Sequence, residues 1–137
     1  AIDLNTELRV TRTRFTGEWA WVIVDVPETF TQQYGSRQQG GFLDIVQPIV
    51  RGQLLGFDKA VLNLAVRLES LDRNVGTFRE TGTSIGDELW AVVPAVSFRP
   101  NPQTVIRLNY RHMRERDLLG NPAIITGGFQ FGVSSYF

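Results

Sequence analysis

Residues Ala60–Leu71 read AVLNLAVRLESL: Leu62, Leu64, Val66 and Leu68 alternate with Asn63, Ala65, Arg67 and Glu69. A repeat of two is the period of a β-strand, whose successive side chains point to opposite faces, so this stretch has an oily face and a wet one. The same rule applies on both sides of it. Gln103–Arg114 sets Thr104, Ile106, Leu108 and Tyr110 against Arg107, Asn109 and Arg111, and Ala123–Phe137 sets Phe129, Phe131, Val133 and Phe137 against Gln130, Gly132, Ser134 and Tyr136. Arg12–Val26 places Phe15, Gly17, Trp19, Trp21 and Ile23 opposite Arg12, Arg14, Thr16, Glu18 and Ala20. Asp87–Arg99 groups Trp90, Val92, Val96 and Phe98 against Ala91, Ala95 and Ser97, and Pro94, which lacks a ladder donor, predicts a bulge there. Gly41–Arg51 is strand-like, but Pro48 interrupts it and neither parity separates oily from polar residues, so its faces stay unassigned. Ile2–Asn5 reads as the end of another strand, joined through a tight turn at Glu7–Arg9. The chain therefore reads as all-β, with six strands and a stub.

The connections alternate between short and long. Glu28–Gly40 and Asp72–Gly86 are long, Gly52–Lys59 and Pro100-Asn101-Pro102 are shorter, and Glu115–Pro122 is longer again. Short turns on one side and long loops on the other are the habit of barrels that cross a membrane with strands. The strands also exceed the ~5 or 6 residues typical of globular sheets. A sheet in lipid must close on itself, with oily side chains outward and polar ones inward. These features predict an antiparallel transmembrane β-barrel in a bacterial outer membrane, with residues 1–137 as the C-terminal part of one barrel domain and no second domain.

Composition narrows the alternatives. The 14 basic and 14 acidic residues cancel, which argues against nucleic acid as a partner. Lys59 is the one lysine, every other cation being arginine, a bias that suits ion pairs and anion contacts as well as a high-GC codon preference. Without cysteine there is no disulfide framework, thiol nucleophile or zinc–thiolate site. No apolar run reaches the ~18 residues of a transmembrane helix. The opening AIDLN lacks the charged and apolar regions of a signal peptide, so the chain is read as mature or truncated.

The runs GEWAWVIVDVPETF, AVLNLAVRLE, SFRPNPQTVIRLNYR and GFQFGVSSYF together resemble the C-terminal portion of the phosphate-selective porin O/P family and its porin-like relatives. The terminal Phe137 is similar to the aromatic residue by which outer-membrane proteins are recognised for assembly. The resemblance implies a barrel of about 16 or more strands with a wide lumen, a homotrimer, and an N-terminal portion beyond the residues given. It implies no phosphate-binding residue, because the basic ladder of the family is rich in lysine and the strands here are not.

The function expected on this reading is passive diffusion of small solutes, anions among them, through a channel. The lumen candidates are Arg12, Arg14, Glu18, Arg67, Glu69, Arg107, Asn109 and Arg111; a wall of fixed positive charge lowers the barrier to anions. The plainer reading is that the arginines pair with Glu18, Glu69 and neighbouring carboxylates as bracing. Phe15, Trp19, Trp21, Trp90, Phe98, Tyr110 and Phe137 are candidates for aromatic girdles at the membrane interfaces; the same residues can equally fill a core. His112 stands alone on an apolar parity and is no metal ligand, Ser84, Ser134 and Ser135 lie in no nucleophile motif, and the acid pairs Asp25/Glu28 and Glu115/Asp117 read as solvated loop charges. No enzyme, metal or cofactor is therefore expected. Two other functions fit the pattern: an outer-membrane structural or adhesive protein acting through its long loops, and a soluble β-barrel or sandwich that binds a ligand.

Overall fold

The computed structural model describes residues 1–27, 35–78, 81–119 and 121–136. Among them, strands β1 (Ile2–Glu7), β2 (Arg14–Ile23), β3 (Arg37–Leu54), β4 (Phe57–Asp72), β5 (Glu88–Asn101), β6 (Thr104–Arg116) and β7 (Ile124–Ser135) form one antiparallel sheet in chain order. Each strand lies beside its sequence neighbour, which is the arrangement that short connections impose on antiparallel strands.

The register shows how alternation becomes two faces. Leu4, Gly17, Leu43, Leu68, Val92, His112 and Gly127 form one continuous cross-strand row over all seven strands. Thr16, Asp44, Arg67 and Val93 form a row of the opposite parity, so the polar side chains of β2, β3 and β4 share the other face. Because side chains repeat every two residues, a slip of one in any pair would turn that strand's oily side chains to the polar face.

The strand bounds differ from the sequence reading in instructive ways. β1 runs through Glu7 and the following turn spans residues 8–13, closed by Leu8 N–H donating to Thr13 O (2.9 Å). Arg12 lies in that turn with φ 56°, so it is not on the polar face of a strand. The connection between β3 and β4 is only Leu55 and Gly56, both at positive φ (53° and 84°), the backbone that a tight two-residue hairpin requires. Pro94 pairs with Val66 in unbroken register, whereas β3 has two irregularities, between Pro48 and Val50 and between Gly52 and Leu54.

The architecture corrects the barrel expectation. β1 pairs only with β2 and β7 only with β6, so the sheet has two separate edges and does not close. The described residues therefore enclose no lumen. Among the described residues the buried hydrophobic set is Ala60, Ala91 and Val93, all at the middle strands, and no large side chain is fully buried. A single sheet layer has this signature, because residues on either face meet only their cross-strand and diagonal neighbours.

Candidate binding surface

Three features stand out on this sheet. The first is an ionic cluster on the polar face. Asp44 of β3 and Arg67 of β4 are register partners, and the guanidinium grips the carboxylate with two bonds, Nε to Oδ1 and Nη2 to Oδ2, each 2.7 Å. The bond to Asp44 raises the Arg67 pKa above its ordinary value, against a smaller opposing effect of burial. The guanidinium also lies 4.5 Å from the centre of the Phe42 ring and 3.9 Å from Glu69. Glu69 in turn receives Arg111 of β6 at 2.6 Å. That last pair passes over β5, where Ala91 and Val93 are small enough to leave room. Two further polar pairs share this face, Asn63 donating to Ser97 (3.1 Å) and Asn109 donating to Gln130 (2.9 Å).

The second feature is a clamp at one end of the sheet. Arg73 donates to Asp87 and Glu115, both at 3.0 Å, and its pKa is raised first by the bond to Asp87 and then by that to Glu115. Asn74, 7% exposed, donates to Asp87 (2.6 Å) and accepts from the Gly35 amide. These bonds tie the connections at the ends of β3, β4, β5 and β6 into one unit. Asp87 holds φ 77°, a conformation that the bonds to Arg73 and Asn74 fix in place.

The third feature is the free edge. All twelve residues of β7, IITGGFQFGVSS, are exposed, and none is charged or proline. Phe129, Phe131 and Val133 are 77%, 71% and 60% exposed, against 48% and 43% for Leu64 and Leu68 at the sheet centre. On its inner side β7 is held by β6 from Thr104↔Ser135 to Glu115↔Ile124, with the Tyr110 ring beside Phe129 (centroids 4.9 Å apart) and over Gly127. Its outer row of backbone groups has no partner strand among the described residues.

The predicted site residues are placed as follows. Arg67, Glu69 and Arg111 are brought together with Asp44, which the sequence reading omitted because the faces of β3 could not be assigned. Arg107 and Asn109 share their face. Arg14 lies 3.8 Å from Glu7, and Glu18 makes no ion pair among the described residues. Phe15, Trp19, Trp21, Trp90, Phe98 and Tyr110 all occupy the apolar face, Trp19 and Trp21 with ring centres 6.3 Å apart and Trp90 beside His112 (5.9 Å). Phe137, Glu28 and the long connection through residues 28–34 lie outside the described residues. The Arg73–Asn74–Asp87 clamp was missed entirely: Glu115 read as a solvated loop charge but lies in β6, and Asp87 read only as the start of a strand.

No protein-family model, curated protein or solved structure matches this chain. The family resemblance is corrected accordingly: nothing joins the chain to the phosphate-selective porins, and the trimer drawn from that family goes with it. The open sheet removes the lumen on which the channel for anions, its bilayer and solute partners and the outer-membrane placement were built. No described helix is long and apolar enough to cross a membrane.

Proposed function

We propose that the chain is a non-catalytic protein-binding module that takes an extended segment of another polypeptide onto the β7 edge, as an added antiparallel strand. The observation that carries this reading is the character of β7: twelve residues, all exposed, no charge, no proline. Natural edges that must stay unpaired are short, charged, bulged or interrupted by proline. β1 obeys that rule, with six residues including Asp3 and Glu7, and β7 breaks every part of it. Recognition by strand addition draws its affinity from main-chain hydrogen bonds and its selectivity from alternate side chains. Among the described residues, Ser and Thr hydroxyls bond to other hydroxyls, amides or carbonyls, in keeping with a binding role.

The test uses the 137-residue chain and a fluorescent synthetic peptide of alternating valine and threonine with a solubilising tail, read by anisotropy. Binding is expected, with the peptide's valines on the side of Phe129, Phe131 and Val133. Methylating the peptide nitrogens that face β7 is expected to abolish binding, and methylating the alternate nitrogens to leave it intact. Equal binding by both methylated forms, or no binding by the parent peptide, refutes strand addition.

A further inference from the structure

The polar side of the β7 edge carries a feature that says what kind of strand fits there. Arg107 of β6 is paired in register with Gly132 of β7. A Cβ built on Gly132 would meet nothing within 4 Å, so the space above that glycine is open on the polar face. Arg107 is exposed and makes no ion pair or side-chain hydrogen bond among the described residues. The other arginine facing a β7 glycine, Arg111 opposite Gly128, is already committed to Glu69.

The sheet contains its own precedent for what Arg107 can do. Arg111 and Glu69 lie on strands separated by β5 and still meet at 2.6 Å, because small side chains on β5 let them reach across. Two strand spacings amount to about 10 Å, a distance that an arginine and a glutamate extended toward each other span. Arg107, β7 and an added strand reproduce that arrangement, with Gly132 in the role of the small residue.

Resting on the strand-accepting reading of β7, we infer that this edge selects a segment of the pattern apolar–Glu–apolar, with the glutamate opposite Gly132 so that its carboxylate receives the Arg107 guanidinium. The flanking apolar residues then fall opposite Phe131 and Val133, on the oily face. Alternation fixes this register: moving the acid by one position would put it among the phenylalanines, where a charge has no partner. Arg107 is thus the residue that sets both the charge and the register of the partner.

The experiment compares three peptides of one alternating frame, carrying Glu, Gln or Lys at the position opposite Gly132, on the natural chain and on Arg107→Glu. On the natural chain the Glu peptide is expected to bind about fivefold tighter than the Gln peptide, the size of a partly exposed ion pair, with the Lys peptide weakest. On Arg107→Glu the order is expected to reverse, with Lys tightest. Equal binding of the three peptides to the natural chain, or an unchanged order on the variant, overturns the assignment of Arg107 while leaving strand addition standing. Failure of all three to bind overturns both.

Discussion

The middle of the sheet and its β7 edge are written in the same alternating pattern and reach different physical states. At the centre, β4 is flanked on both sides, Ala60, Ala91 and Val93 are buried, and Arg67 is fixed by a two-bond grip on Asp44. At the edge every side chain of β7 is exposed and Gly128 and Gly132 face open space. Alternation decides which face a side chain joins; the neighbouring strand decides how much of it leaves water. Substitutions of one chemical type should therefore have opposite consequences in the two regions.

The largest effect is expected where backbone meets backbone. A Cβ on Gly41 would collide with the carbonyl oxygen of Glu18 and press on the Trp19 ring. Gly41→Ala forces β2 and β3 apart at a paired position and should destabilise the chain by about 1–3 kcal/mol, the cost of inserting atoms into packed structure. A urea titration followed by tryptophan fluorescence measures it, since Trp19 and Trp21 sit on that strand pair. An unchanged midpoint would mean that β2 and β3 are not held at the register in which Trp19 faces Gly41.

A smaller effect is expected from the ionic cluster. Asp44→Asn removes the charge from the Arg67 pair, leaving Glu69 at 3.9 Å as the nearest acid, and should cost about 1 kcal/mol, because both side chains keep contact with water. Its pH dependence has a definite sign. The Arg67 pKa is raised in the folded chain, so its contribution is fully present below the unfolded value and is lost only as pH rises through the higher folded one. The arginine's share of stability is therefore flat through the neutral range and disappears only in strong alkali. A loss of the Arg67 contribution between neutral and mildly alkaline urea titrations would contradict the paired geometry.

How much of this was legible in the residues differs along the chain. The strand faces of β4, β5, β6 and β7 follow from their alternation, since each has one clean oily parity. β3 resisted because Gly40 and Gly41 carry no side chain, Pro48 interrupts the run and Phe42 sits on the polar face over Arg67; hence Asp44 was missed. Arg12 was assigned to a strand face because it continues the parity of Arg14, but a turn closed by Leu8 and Thr13 holds it at positive φ. The Arg73–Asn74–Asp87 clamp joins residues distant in sequence through side-chain bonds and the backbone bond from Arg73 N–H to Asp87 O (3.0 Å), and no local period reports such contacts. Closure lies further still from the sequence: alternation defines two faces for every strand, but what lies beyond the first and last strands is a matter of pairing, and pairing has no signature within a single strand.

The smallest effect tests the edge itself. Gly132 is not at positive φ, and its added Cβ meets nothing, so alanine there removes unfolded-chain entropy without a steric penalty. Gly132→Ala should stabilise the chain by about 0.5 kcal/mol, opposite in sign to Gly41→Ala. The contrast is sharp because both positions are strand glycines paired to a neighbour, and they differ in whether an oxygen or open space lies where the methyl would go. If Gly132→Ala destabilises as Gly41→Ala does, something already occupies the space opposite Arg107, and the edge is not free to receive a partner strand.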